Sequence, residues 1–370
     1  MDLLERRLRA GLADLERDGL LRTLRPPRGI DFSSNDYLGL AAHPLLKGRM
    51  AAAVRELGCG STGSRLLRGE RDCFTALERR FAQFKGTERA LYFSSGYLAN
   101  LAVLTTFPEA ADTIFSDQLN HASLIDGVRL SRARSVVFPH LRPDSLSEHA
   151  FLATESVFSM DGDLAPLENY AAQCRSKHSA LIVDEAHAVG IYGARGSGLI
   201  EESGIGGDVF VSTNPAGKAL GVAGAFVAGP EWAMEYLAQR ARPFIFSTAP
   251  PPSIAAALQA SLDLIEGEPE RRVSLRSRAR YLRERLAACG FAVPAGDSPI
   301  IPVILGEGEN DRAVAVAAAM QQEGFDVRAI RPPTVPRGTA RLRISVNVNL
   351  SEEVLARFAA TLATVSKSGY

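Results

Sequence analysis

The chain has 370 residues, with 42 basic against 42 acidic side chains, 46% hydrophobic residues and 23% charged ones. That length and apolar share fit a globular chain with a large core and two or three domains. A balanced charge argues against a nucleic-acid surface or a polybasic membrane patch, and no apolar run reaches the roughly 20 residues that cross a bilayer.

The first predicted element is a helix over 1–18, where Leu4, Leu8, Leu12 and Leu15 recur at helical spacing. Glu5, Asp14, Glu16 and Asp18 sit among Arg6, Arg7 and Arg9, which is the wrong company for an organelle presequence, so the stretch reads as an amphipathic packing helix. From Ala90 onward short apolar runs alternate with helical patterns. Predicted strands are Ala90–Phe93, Thr113–Phe115, Ser135–Phe138, Phe151–Thr154, Ala180–Val183, Val209–Val211 and Ala225–Ala228. Predicted helices between them include Tyr97–Thr106, Ser123–Arg132 and Leu167–Lys177. This alternation predicts an α/β fold with a mostly parallel sheet covered on both faces, and ligands in such sheets sit beyond the carboxyl ends of the strands. Pro250–Pro252 and Gly267–Pro269 punctuate the chain, and helical patterns run through Ser253–Ile265 and Glu270–Ala288. A smaller α+β unit is expected next, with strands near Ile300–Leu305 and Arg341–Val346 and helices near Asp311–Glu323 and Glu352–Thr364. The expected organisation is an N-terminal arm over 1–40, a large α/β domain over 41–266 and a small α+β domain over 267–370.

Several motifs tempt and fail. Asp184-Glu185-Ala186-His187 spells a helicase box, but no G-x-x-x-x-G-K-[ST] loop precedes it. Gly58-Cys59-Gly60-Ser61-Thr62-Gly63 fits G-x-G-x-x-G, yet it follows an alanine-rich helical pattern instead of a strand, so it reads as a loop needing unusual backbone angles. No G-x-S-x-G elbow and no H-E-x-x-H exist, and Cys59, Cys73, Cys174 and Cys289 show neither a zinc-like nor a disulfide-framework spacing. No metal is expected. The scattered thiols fit a reducing, cytoplasmic compartment.

One constellation survives. Asp184 ends the apolar run Ala180-Leu181-Ile182-Val183, and His187 follows three residues on. Lys218 lies between Gly217 and Gly221 just beyond the next strand. A carboxylate at the end of a buried strand needs a positively charged counterpart. Pyridoxal phosphate uses these types together: a lysine amine holds the cofactor as a Schiff base, and an aspartate keeps its pyridine nitrogen protonated so that the ring acts as an electron sink. Ser94-Ser95-Gly96-Tyr97, between a strand and an apolar helix, supplies a helix N-terminus for the phosphate. Taken singly, these are an ordinary strand-to-helix turn, a satisfied core ion pair and a capping histidine; taken in order on adjacent strands, they favour the cofactor.

With these residues in place, the chain resembles the α-oxoamine synthase family of fold-type-I pyridoxal-phosphate enzymes over nearly its whole length. The resemblance is carried by Phe32-Ser33-Ser34-Asn35-Asp36-Tyr37-Leu38-Gly39-Leu40, Gly60-Ser61-Thr62-Gly63-Ser64-Arg65, Ser95-Gly96-Tyr97, Asn120-His121-Ala122-Ser123, Val157-Phe158-Ser159-Met160-Asp161-Gly162-Asp163 and Asp184-Glu185-Ala186-His187. It implies that Lys218 is the Schiff-base lysine, Asp184 contacts the pyridine nitrogen, His187 the ring hydroxyl, and His121 stacks on the ring. It further implies that Gly96 and Tyr97 offer backbone N–H groups to the phosphate and that Ser159 lies near the ring oxygen. Asn35 and Arg331 would hold the amino-acid carboxylate, and Arg22 would reach the acyl substrate. The implied assembly is a homodimer with shared sites, in which the Gly60–Arg65 loop and the Phe246-Ser247-Thr248 turn come from the neighbouring subunit.

The chain departs from the family where a threonine three residues before the lysine usually binds phosphate: Pro215 stands there, without hydroxyl or N–H. Thr213 is the expected substitute, with Ser212 and Asn214 as alternatives. The stretch Ile330-Arg331-Pro332-Pro333-Thr334-Val335-Pro336 resembles the branch that condenses L-alanine with a pimeloyl thioester, with loss of CO2. Another amino acid with another acyl-CoA, or a degenerate scaffold that only binds the cofactor, are the alternatives.

Overall fold

A computed structural model describes residues 1–305 and 310–367. The chain divides into two compact units, one of Asn35–Ser159 and Asp163–Leu275, the other of Met1–Ser34, Met160–Gly162 and Arg276–Tyr370. The Gly267–Pro269 punctuation separates helices Ser253–Gly267 and Glu270–Ala288, and the division between the units falls inside the second of these.

The larger unit is built on a seven-stranded sheet. Its strands in chain order are β1 (Arg89–Phe93), β2 (Thr113–Asp117), β3 (Arg134–Phe138), β4 (Phe151–Glu155), β5 (Ala180–Asp184), β6 (Val209–Pro215) and β7 (Ala225–Gly229). Their spatial order is β1-β7-β6-β5-β4-β2-β3, with β7 antiparallel to both neighbours and every other pairing parallel. The apolar runs are the reason: strands buried on both faces read as continuous hydrophobic stretches. Leu91, Phe93, Ile114, Ile182, Val211 and Val227 pack with Leu104 and Val103 of helix Gly96–Thr106 and with Met234 and Leu237 of helix Glu231–Arg240. Each such large side chain, fully buried, contributes about 1.5–3 kcal/mol.

Two buried charge clusters brace this unit. The Lys85 ammonium pairs with Glu185 and donates to the Ser197 carbonyl at 2.7 Å, while Glu185 Oε1 accepts the Ile200 N–H at 3.0 Å. His140 bridges Asp117 and Asp163, with Nδ1 at 2.9 Å and Nε2 at 2.7 Å, and its ring meets Phe158 edge-on. Those two carboxylates outweigh the desolvation of the half-buried ring and hold the imidazolium pKa up at about 10. The glycine-rich segment is a loop, as expected: Gly58 takes φ +82°, Ser61 Oγ donates to the Pro250 carbonyl at 2.6 Å, and Ser64 bridges Thr248.

In the smaller unit, strands Arg328–Ile330, Arg341–Ser345 and Ile300–Ile304 form an antiparallel sheet, accompanied by helices Asn310–Gln322 and Glu352–Lys367. The N-terminal chain belongs here because Ile30–Asp31 pairs in parallel with Phe325–Asp326. Phe32, fully buried, stacks on Phe358 at 4.0 Å and meets Phe325 edge-on. Helix Asp2–Arg17 differs from expectation. None of its residues is buried, and Leu8 and Leu12 are each 56% exposed. Its apolar stripe has the predicted spacing, but a stripe alone supplies no surface for it to pack against.

Candidate functional site

Parallel, in-register pairing sets Glu155, Asp184 and Thr213 side by side at the carboxyl ends of β4, β5 and β6. All three are buried. Asp184 is held by neutral donors: Oδ1 accepts the Ala186 N–H at 2.8 Å and Oδ2 accepts Asn100 Nδ2 at 2.6 Å. Asn100 lies four residues after Gly96 on helix Gly96–Thr106, so one helix both begins at the site and braces its acid.

The same Asn100 Nδ2 reaches Ser123 Oγ at 2.9 Å, and Ser123 Oγ lies 2.7 Å from His121 Nδ1. His121 Nδ1 also accepts the Ser123 N–H at 3.2 Å, as the cap of helix Ala122–Leu130. A nitrogen that accepts from a backbone amide carries a lone pair, so the His121 proton resides on Nε2. Desolvation by the atoms packed around the ring, reinforced by Lys218, holds its pKa below the ordinary value against the opposing pull of Asp184. His121 is therefore neutral at pH 7, an imidazole suited to lying against an aromatic cationic ring.

His187 Nδ1 is 2.7 Å from the hydroxyl of the fully buried Tyr37, which also donates to Asn35 Oδ1 at 2.9 Å. Motif residues from the chain's beginning thus fix the orientation of His187. Opposite, helix Gly96–Thr106 opens with Ser95 as its cap, and the amides of Gly96 and Tyr97 lie in the first turn, where no intrahelical acceptor exists. A side chain at Gly96 would place its Cβ 2.6 Å from Pro215 Cγ, so the glycine is required by the proline against it. The Tyr97 hydroxyl donates to Asp126.

Of the expected residues, Gly96, Tyr97, His121, Asp184, His187 and Lys218 line one cavity. Sequence reasoning missed Asn100, Ser123 and Glu155, which line it with Ala186 and Pro215. Ser159, Thr213, Thr248 and Asn35 do not line it. Thr213 departs from the expectation most plainly. It is fully buried with its Oγ1 unpartnered among the described residues, and Pro215, two residues on along the same strand face, lines the cavity in its place. Ser159 gives its N–H to Glu155 Oε2 at 3.1 Å, and Thr248 is exposed beside Ser64. Arg22 and Arg331 lie in the smaller unit, where both line a groove with Arg25, Arg328 and Thr334. Arg331 donates to the carbonyls of Gly19 and Leu21, and burial together with the Arg22 charge lowers its pKa.

Among the described residues no cluster of three or more His, Cys, Asp or Glu could hold a metal, and no helix is long and apolar enough to cross a membrane. An organic cofactor is another matter. An amine, a carboxylate at a strand end, a neutral imidazole and a helix N-terminus converge on one cavity, and they match the aldehyde, ring nitrogen, ring face and phosphate of pyridoxal phosphate.

Fold and site together define a fold-type-I transferase, and the chain belongs to the aminotransferase class I and II family, whose pattern it matches over residues 27–362. More particularly, it is 43% identical over 377 residues to the 8-amino-7-oxononanoate synthase of Anaeromyxobacter dehalogenans, covering 96% of this chain and 94% of that one. Among solved structures it resembles the 8-amino-7-oxononanoate synthase of Francisella tularensis, with a TM-score of 0.79 and 31% identity over 91% of this chain and 97% of that one. It also resembles a serine palmitoyltransferase of S. paucimobilis holding PLP and myriocin, with a TM-score of 0.89 and 28% identity over 98% and 97% of the two chains.

Proposed function

We propose that the chain is an 8-amino-7-oxononanoate synthase. It would join L-alanine to a pimeloyl thioester of CoA or acyl-carrier protein, releasing 8-amino-7-oxononanoate, CO2 and the free thiol carrier in the biotin pathway. The observation that carries the reading is the convergence of Lys218, Asp184, His187 and His121 on one cavity at a helix N-terminus. Pyridoxal phosphate bound there supplies the electron sink for the bonding pair left at the alanine Cα.

Lys218 would hold the cofactor and, with its amine free and neutral, would remove and return the proton at the alanine Cα. Asp184, braced by Asn100 and Ala186, keeps the positive charge on the ring nitrogen. His121, neutral, would lie against the ring face, and His187, oriented by Tyr37, would serve the ring oxygen along with Ser159. The Gly96 and Tyr97 amides would take the phosphate, assisted by Thr248 of the neighbouring subunit in a cytoplasmic homodimer, while Pro215 lines the cavity in place of the expected Thr213. Two adjacent guanidinium groups, Arg22 and Arg331, repel one another until an anion arrives, which suits them to the carboxylates of the two substrates; Asn35 completes the amino-acid end. Across the reaction the alanine Cα exchanges its carboxylate, lost as CO2, for the acyl carbon, and the thiolate leaves as the thiol with one proton taken up from solvent.

Fold similarity does not choose the substrate. The higher TM-score to a serine palmitoyltransferase makes serine with a palmitoyl thioester the reading to beat, and the higher identity to synthases of the first kind favours alanine with pimelate. Borohydride should fix the cofactor to Lys218, as read by peptide mass, and Lys218→Ala should take up no label. Thiol and CO2 release should then be fastest with alanine and pimeloyl-CoA. Faster release with serine and palmitoyl-CoA, or glycine and acetyl-CoA, would overturn the substrate assignment. Cofactor uptake without CO2 release from any pair would leave a binding protein.

A further inference from the structure

The cavity contains one buried carboxyl group to which the proposed reaction assigns nothing. Glu155 is 2% exposed, lines the cavity, and stands in register beside Asp184 on the neighbouring strand, so both side chains leave the same face of the sheet. Oε2 accepts the Ser159 N–H, and Oε1 has no hydrogen-bond partner among the described residues. A charged carboxylate would normally gather several donors or a cation in such a place. Asp184 does gather them, from Ala186 and Asn100.

Two neighbouring buried carboxylates do not both ionise cheaply, and the one with the better donors keeps the charge. Lys218 and the amides of Ser159 and His121 favour the ionised form of Glu155, but burial and the Asp184 charge outweigh them and push its pKa well above the usual carboxylate range. Oε2 already accepts the Ser159 N–H, so the proton belongs on Oε1, which makes no hydrogen bond among the described residues. A carboxylic acid kept neutral beside the reacting centre can then give a hydrogen bond that a carboxylate cannot.

We propose that Glu155 is a further working group of this cavity, a neutral carboxylic acid whose Oε1 hydroxyl donates a hydrogen bond to an anionic oxygen of the bound cofactor or of the amino acid. The assignment rests on the cofactor reading of the cavity given above. It adds to the cavity a donor that strengthens as charge develops on the acceptor.

Infrared difference spectroscopy on the purified full-length protein separates this proposal from the cofactor reading. At neutral pH the carbonyl stretch of a protonated carboxylic acid should be present and should vanish in Glu155→Gln. It should move on addition of pyridoxal phosphate if the acceptor belongs to the cofactor, or only on further addition of L-alanine if it belongs to the substrate. Glu155→Gln, which keeps a donor in the same place, should retain kcat within about threefold, whereas Glu155→Leu should lower it by about tenfold or more with little change in KM. Absence of the stretch, its persistence in Glu155→Gln, its indifference to both ligands, or equal loss in the two variants would each overturn the proposal. Failure of borohydride labelling at Lys218 would instead strike the cofactor reading.

Discussion

Asp184 and Glu185 are consecutive acids, both buried, yet their surroundings differ in kind. Glu185 is paired directly with the Lys85 ammonium and takes the Ile200 amide as well, so its charge is cancelled within the fold. Asp184 is held by the neutral amides of Ala186 and Asn100, which fix its direction without neutralising it. One residue is tied to a cation inside the fold, and its neighbour is presented at the wall of the cavity. A buried acid with its own cation is architecture; one held by amide donors at the wall of a cavity is positioned for a ligand.

The contrast can be broken at Lys85. Lys85→Met would strand the Glu185 carboxylate and should destabilise the protein by about 3–5 kcal/mol in urea unfolding, while the double change with Glu185→Leu should recover most of that. Asp184→Asn should do the reverse. Stability should change by no more than about 1 kcal/mol, and kcat should fall about 10²–10³-fold, equivalent to roughly 3–4 kcal/mol in the barrier. His140 adds a cation between two carboxylates to the self-cancelling class. Its folded pKa is raised from 6.5 to about 10, so its contribution is fully present below pH 6.5 and is lost as the pH rises through about 10. The stability gap between the native chain and His140→Asn, of roughly 2 kcal/mol at low pH, should therefore close on alkalinisation, as followed by thermal unfolding across that range. Smallest is Tyr37→Phe. Loss of the bond to His187 should cost about 1 kcal/mol in stability and should alter the nitrogen-15 NMR signature of the His187 tautomer, with the fold unchanged.

Much of this was legible in advance, for identifiable reasons. Apolar runs bounded by turn residues marked every strand of the large sheet, because doubly covered parallel strands cannot alternate with polar positions. Asp184 was visible as an acid at the end of such a run. Glu155 is the same kind of signal one strand over. It was passed by because the predicted strand stopped at Thr154, one residue short of the ladder's end. Asn100 and Ser123 were hidden differently: each sits inside an apolar helical pattern and acquires its meaning only when helices Gly96–Thr106 and Ala122–Leu130 pack together. The Lys85–Glu185 pair spans 100 residues, a separation at which no local pattern announces a partner. The hydroxyl of Thr213 suits a phosphate, whereas strand geometry, which the hydroxyl does not reveal, brings Pro215 to the cavity wall.

The parallel pairing of Ile30–Asp31 with Phe325–Asp326 has a consequence for how the chain is made. Ser33 finds its acceptor on a residue 293 positions later. During synthesis Ile30–Asp31 and Phe32 must therefore wait for their partners near Phe325 and Phe358, while the α/β unit over 35–275 is free to form. Closing so long a loop carries an entropic cost that only the finished C-terminal strands and helices can offset. Phe32 can seat against Phe358 only once helix Glu352–Lys367 has been made.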